Sequence, residues 1–181
     1  MKRIIIQRSL AFFLILVMGA VFSTGVQAKS PKSHATKNPY GADTLTDSPG
    51  PNEVVLTVTN HSKVVQFTLK SLRKLGTTQV SIFEPFVQAR QAFTTVTLAE
   101  IFKSAGILPT ADVMTDALNN YVYTNTAKNF TDSQGQLAIA RWGAPIPYDQ
   151  GGPIRIIFPD RSVLGKNLSA WNLSLSLMMV E

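Results

Sequence analysis

Short runs of alternating or continuous apolar residues recur through the chain after residue 53, and they predict strands. Residues 54–59 and 64–69 are rich in β-branched side chains and flank the turn-like Asn60-His61-Ser62-Lys63. This arrangement predicts a β-hairpin with His61 in its solvated turn. Further strands are predicted at 77–83, where Pro85 ends the run, in two pieces around Asn119-Asn120 within 113–124, and at 137–142.

The last residues repeat with period two. One set is apolar (Trp171, Leu173, Leu175, Leu177 and Met179), and the residues between them are polar (Asn172, Ser174 and Ser176). Because successive side chains of a strand point to opposite faces, this pattern predicts one half-buried strand from 171 to 179.

Helical spacing is confined to two short segments. Thr97-Leu98-Ala99-Glu100 is a capping box, apolar residues follow at helical intervals, and Gly106 closes the segment, which predicts a helix over 97–105. A helical turn over 69–75 is predicted to end at Gly76. Many strands with one or two short helices indicate a mixed, β-rich α+β domain.

The first 52 residues predict export and a linker. Residues 1–28 combine a basic start, an apolar run over 10–22 and Val26-Gln27-Ala28, the pattern of a signal peptide cleaved after Ala28. The run is shorter than the roughly 20 residues of a membrane span, so no stable membrane anchor is expected after cleavage. The leader has no Arg-Arg pair, which favours Sec-type export to the periplasm or outside. Residues 29–52 predict a flexible tail, and 53–181 the single domain.

Charge and residue usage narrow the function. The net charge of +6 includes three leader residues, Lys2, Arg3 and Arg8, so the domain is nearly neutral and nucleic acid is not an expected partner. The chain has no Cys, which excludes a thiolate nucleophile, a Cys zinc site and an iron–sulfur cluster. Its two histidines, His34 and His61, fall in predicted exposed segments, so neither a metal site nor a Ser-His-Asp triad is expected.

The segment 141–160 holds the candidate ligand residues. It is rich in Gly and Pro and leads into an apolar run that contains Arg155 between Ile154 and Ile156, so it predicts a rigid loop before a core strand. A buried arginine needs an acceptor, which is either a carboxylate or main-chain carbonyl of the protein, the favoured reading, or an anionic ligand. The candidate binding residues are Arg155, Gly151, Gly152, Trp142, Tyr148 and Arg90. For the two aromatics, packing within the loop is favoured over stacking on a ligand.

Several of these segments, in this order, are familiar from one family. Leu56-Thr57-Val58-Thr59, the stretch 96–106, Gly143-Ala144-Pro145-Ile146-Pro147, the stretch 151–159 and Ala170-Trp171-Asn172-Leu173 together resemble the molybdopterin-binding domain of the sulfite oxidase family. The chain is most similar to short exported members that consist of this domain alone. The resemblance implies a β-rich α+β fold, with the Gly-Pro loop and Arg155 bordering the side on which enzymatic members hold the pterin cofactor.

One departure from the family decides the functional hypothesis. Its enzymes ligate molybdenum through a Cys thiolate, and counting back from the capped helix puts that position near Phe83, which cannot ligate a metal. We therefore expect an exported, non-catalytic binding or accessory module, with no cofactor although molybdopterin is possible. The first alternative is an oxidoreductase that holds molybdopterin without a Cys ligand. The second is a periplasmic sensory module for a small anionic or pterin-like ligand.

Overall fold

The computed structural model describes residues 48–181, so the predicted leader and most of the predicted tail lie outside the described residues. The strands of this region are, in chain order, β1 (Val54–Asn60), β2 (Lys63–Thr68), β3 (Thr78–Glu84), β4 (Ala89–Thr97), β5 (Asp112–Ala117), β6 (Val122–Thr126), β7 (Gln136–Arg141), β8 (Arg155–Ile157) and β9 (Leu175–Val180). The helices are α1 (Leu69–Lys74), α2 (Leu98–Ala105) and α3 (Ala127–Asp132). The prediction of a β-rich mixed domain is confirmed at this level.

The strands form two sheets. Five of them have the order β2-β1-β9-β5-β6, and the other four have the order β3-β4-β7-β8. In the larger sheet β1 and β9 are parallel, while the neighbouring pairs β1–β2, β5–β9 and β5–β6 are antiparallel. All neighbours in the smaller sheet are antiparallel. Buried apolar residues of both sheets and of α2 belong to one hydrophobic core.

The capped helix lies where the sequence predicts it. The Thr97 hydroxyl accepts a hydrogen bond from the Glu100 amide, and Gly106 ends α2 in the left-handed conformation with φ 71°. The four apolar residues at helical spacing, Leu98, Ile101, Phe102 and Ala105, are all buried. The Glu100 carboxylate lies 3.9 Å from the Lys103 ammonium, and the Thr97 half of the predicted box caps the helix.

The predicted C-terminal strand is wrong in its extent and in its inward face. Strand β9 begins only at Leu175, because Ser174 has φ 53° and interrupts the extended backbone. Asp116 pairs with Leu177 while its neighbour Ala117 pairs with Leu175, so Ser176 is an extra residue that forms a β-bulge. A bulge reverses the alternation beyond it, and Met178, not Met179, is therefore buried.

Two elements had no counterpart in the sequence prediction. Strand β4 lies at the centre of the smaller sheet between β3 and β7, and α3 follows β6 directly. Among the described residues no helix is long and apolar enough to cross a membrane.

Candidate functional site

Arg155, the arginine expected to need an acceptor, forms an ion pair with Glu84. Its Nη2 donates to Glu84 Oε1 over 2.7 Å, and both side chains have 0% exposure. The guanidinium carbon lies 6.0 Å from the ring centroid of Phe86 and 5.8 Å from that of Phe93, within the range of cation–π attraction. The acceptor is thus a carboxylate of the protein, in agreement with the interpretation that we favoured from the sequence.

Glu84 was not identified from the sequence, although its position carries a signal. It ends β3 two residues after the buried Ile82, and residues two apart in a strand point to the same face. Glu84 therefore lies on the same face of the strand as a buried apolar residue, directly before Pro85. This position predicts a buried carboxylate that requires a cation as its partner.

The Gly-Pro loop packs closely behind this ion pair. A Cβ on Gly152 would lie 1.9 Å from the Ile146 carbonyl oxygen, so this position admits only glycine. Gly151 has φ 80°, and a Cβ there would lie 3.4 Å from Arg155 Nη1 and 3.3 Å from the Cβ of Leu173. Both glycines therefore have a steric role in the rigid loop.

A surface groove with two adjoining lobes begins at this loop, and we refer to it as the aromatic groove. The first lobe, of about 330 Å³, is lined by Phe86, Asn119, Tyr121, Leu168, Ser169, Trp171 and Leu173. The second, of about 400 Å³, is lined by Leu118, Asn119, Tyr148, Asp149, Gly151, Leu173 and Ser174. The lobes share Asn119 and Leu173, and each has the size of a small-molecule site.

Hydrogen bonds and ring contacts fix the walls of the first lobe. The Phe86 and Trp171 rings meet edge to face, with centroids 6.3 Å apart and planes at 77°. The Tyr121 hydroxyl donates to the Ser169 carbonyl over 2.9 Å. Asn172, which is fully buried, donates to the carbonyls of Tyr121 over 3.3 Å and Thr115 over 3.2 Å. The sequence pattern placed Asn172 on a solvent-facing polar side, and the late start of β9 explains its burial.

Tyr148 lines the second lobe and is held by the residue that precedes β1. Its hydroxyl donates to Glu53 Oε1 over 3.0 Å. Burial raises the pKa of Tyr148, and the hydrogen bond to the Glu53 carboxylate and its charge raise the pKa further. The tyrosine is therefore a neutral donor at physiological pH.

Arg90 belongs to a different, more exposed constellation. Its Nη2 lies 2.5 Å from Asp160 Oδ2, and the other carboxylate oxygen, Oδ1, accepts the Phe83 amide over 2.6 Å. The hydrogen bond from the Phe83 amide lowers the pKa of Asp160, and the Arg90 guanidinium contributes to the same shift. This surface clamp joins the β3–β4 hairpin to the segment after β8.

The six candidate binding residues therefore lie in different parts of the structure and do not form one site. Tyr148 and Gly151 line the aromatic groove, while Arg155 and Gly152 lie behind it. Arg90 is in the surface clamp, and Trp142 is 66% exposed with its indole donating to Gln91 Oε1 over 2.9 Å. The apolar and aromatic lining of the first lobe, chiefly Phe86, Tyr121 and Trp171, was not proposed from the sequence as a site because its members come from separate segments.

The residues present do not fit a molybdenum centre ligated by the protein. The chain has no cysteine, and Phe83, which the family resemblance aligns with the thiolate, is the next-to-last residue of β3 and has a side chain without a donor atom. Within residues 48–181 no cluster of three or more His, Asp or Glu side chains could hold a metal ion.

Comparisons with known proteins give a likeness of fold. No protein-family model matches the sequence, and no curated protein matches it. Among solved structures, the chain is similar to the crystal structure of the sulfane dehydrogenase SoxCD from Paracoccus pantotrophus, with a TM-score of 0.52 and 14% sequence identity. The match covers 74% of this chain and 39% of the other. The β-rich two-sheet architecture is therefore similar to part of that dehydrogenase structure, and the similarity concerns the fold alone.

Proposed function

We propose that the protein is an exported, non-catalytic binding module with a molybdopterin-binding type of fold, and that the aromatic groove holds a flat, uncharged, pterin-like ring. The observation that carries the proposal is the first lobe, where Phe86, Tyr121 and Trp171 line one cavity of about 330 Å³. Aromatic walls with a few polar groups at the rim are typical of sites that hold planar ligands.

The charges around the groove favour an uncharged ring over an anion. None of the residues that line the two lobes is a Lys or Arg. Arg155, the cation expected to contact an anionic ligand, has 0% exposure and is paired with Glu84 at 2.7 Å. An anion in the groove would therefore lose hydration without gaining a cation at the surface it contacts.

Phe83 supports a non-catalytic role. It stands where the family resemblance expects the metal-ligating thiolate, and its amide is already bound by the Asp160 carboxylate at 2.6 Å. Catalysis by the alternative, an oxidoreductase without a Cys ligand, would need the metal to be held by the pterin alone.

Tryptophan fluorescence tests the proposed site. The chain has two tryptophans, so Trp142→Phe leaves Trp171, in the groove wall, as the sole reporter. We expect biopterin, a neutral pterin, to quench this emission in a saturable way. In the same background Leu168→Arg, at the exposed rim of the first lobe, should weaken binding about tenfold or more. Val64→Arg, also at an exposed apolar position but on β2, should leave it unchanged.

Three results would overturn the proposal. If biopterin leaves the emission unchanged to millimolar concentration, or quenches it equally in the Leu168→Arg protein, the groove is not the site. Elemental analysis of the exported protein, made in cells that synthesise molybdopterin, addresses the alternative. Stoichiometric molybdenum would replace the binding module with the oxidoreductase.

A further inference from the structure

A second cleft lies apart from the aromatic groove and has a different chemistry. It has a volume of about 350 Å³ and lies between β6, α3 and the turn after β8. Its lining includes Tyr123, Asn125, Asn129, Asp132, Val163 and Asn167, none of which lines the aromatic groove. We call it the amide cleft, because three of these side chains are asparagine amides.

Tyr123 has a hydroxyl proton left to donate. Its oxygen accepts one hydrogen bond from Asn125 Nδ2 over 2.8 Å and a second, longer one from Asn167 Nδ2 over 3.4 Å. A phenol oxygen has two acceptor sites and one O–H. Both acceptor sites are therefore used by amides in the cleft wall, and the O–H remains available to a ligand.

The amides are oriented by one another and by the backbone. Asn125 Oδ1 accepts from the Thr126 amide over 2.8 Å and from Asn129 Nδ2 over 2.7 Å. Asn167 Oδ1 accepts from the Ser169 amide over 3.1 Å. These bonds decide which end of each amide is oxygen and which is nitrogen. Each Nδ2 carries two hydrogens and uses one in these contacts, so the wall presents several fixed donors.

The charge of the cleft disfavours two other ligand classes. No Lys or Arg is among its lining residues, which disfavours phosphate or sulfate. Asp132 is the carboxylate in the lining, and it is paired with Lys128 at 2.6 Å, which disfavours a metal ion. Val163, with 80% of its surface exposed, adds an apolar edge to the polar wall.

We propose that the amide cleft binds a neutral saccharide. Each sugar hydroxyl both donates and accepts hydrogen bonds, which matches a wall that combines amide N–H donors, side-chain amide and carboxylate oxygens and a phenol O–H. The C–H face of a sugar ring suits an apolar side chain such as Val163. A volume of about 350 Å³ is within the range of small-ligand sites.

Saturation-transfer NMR tests this site with maltose, cellobiose and N,N′-diacetylchitobiose as probes. Tyr123→Phe removes the hydroxyl and keeps the ring that meets Phe130 edge to face at 6.1 Å. Tyr121→Phe is the matched control, because that hydroxyl belongs to the aromatic groove. We expect transfer to at least one disaccharide, weakened about tenfold by Tyr123→Phe through loss of the hydrogen bond and unchanged by Tyr121→Phe.

The result is independent of the proposed groove. Leu168→Arg, which blocks the aromatic groove, should leave saccharide binding intact. The proposal fails if none of the three disaccharides shows transfer at millimolar concentration, or if the Tyr123→Phe protein, with an unchanged thermal midpoint, binds as well as the parent. Binding of inorganic phosphate that competes with the disaccharide would also overturn it, because the cleft would then be an anion site.

Discussion

Two arginines with short ion pairs to carboxylates lie in opposite surroundings in this molecule. Arg155 meets Glu84 at 2.7 Å, and both side chains have 0% exposure. Arg90 meets Asp160 at 2.5 Å, but the two side chains are 60% and 32% exposed. Both arginines were candidates for ligand contact, and each has a carboxylate of the protein as partner.

The difference in burial decides what each ion pair does. The buried ion pair lies where desolvation is costly, so removal of one partner leaves the other charge in the core without this counter-ion. The exposed ion pair is solvated on both sides, and water compensates for the loss of either partner. Distance alone would rank the surface pair as the stronger, whereas burial predicts that the core depends far more on Arg155 than on Arg90.

The largest effect is expected from Arg155→Met. The substitution keeps an apolar chain against the Phe86 and Phe93 rings but leaves the Glu84 carboxylate buried without its cation. We expect the free energy of unfolding to fall by about 3–5 kcal/mol, measured by chemical denaturation.

The double variant Arg155→Met/Glu84→Leu separates charge from packing. With both charges removed, we expect most of the lost stability to return, since apolar replacements of a buried ion pair are often neutral or stabilising. Equal losses in the single and double variants would show that the arginine acts through packing, and the contrast between the two ion pairs would then disappear.

A second prediction concerns the loop behind the buried ion pair. Gly152→Ala places a Cβ 1.9 Å from the Ile146 carbonyl oxygen and 2.7 Å from that of Pro147. Because both contacts are backbone, the loop must move, and we expect a loss of about 3 kcal/mol or more.

Gly143→Ala is the matched control in the same loop. Gly143 has φ 76° but no atom within 4 Å of a Cβ, so only the left-handed backbone is penalised, by about 1 kcal/mol. Thermal denaturation of the two variants compares them directly. If Gly152→Ala cost no more than Gly143→Ala, the loop would be adaptable and would not be a rigid support for Arg155.

The sequence predicted what depends on local pattern. The β1–β2 hairpin, the Thr97 cap and the Gly106 end of α2 follow from residues within a few positions of each other, and all three are in the structure. The need of Arg155 for an acceptor was also predictable, because desolvation of a charge is costly in any fold.

The remaining features depend on contacts distant in sequence. Glu84 and Arg155 are 71 residues apart, and the first lobe combines Phe86, Tyr121 and Trp171 from three separate segments. A bulge at Ser176 depends on how β9 pairs with β5, which periodicity within one strand cannot reveal. The local sequence pattern therefore predicted individual strands and helices, while the aromatic groove and the buried ion pair become visible only in the tertiary structure.

The smallest effect is expected at the surface ion pair. Arg90→Gln removes the charge opposite Asp160 but keeps a polar side chain in solvent, so the free energy of unfolding at neutral pH should fall by at most about 1 kcal/mol.

The pH dependence of stability is a sharper test of this surface ion pair. The pKa of Asp160 is lowered in the folded protein, first by the Phe83 amide and then by Arg90. Its ionised form therefore stabilises the fold at pH values above its ordinary pKa of 3.8. This stabilisation is lost as the pH falls below that value through the lowered pKa. Between neutral pH and pH 3, the free energy of unfolding should change least in Asp160→Asn, because the asparagine cannot titrate. Arg90→Gln should retain part of the pH dependence, because the hydrogen bond from the Phe83 amide remains. Identical pH profiles for the parent and Asp160→Asn would mean that ionisation of Asp160 contributes nothing to stability.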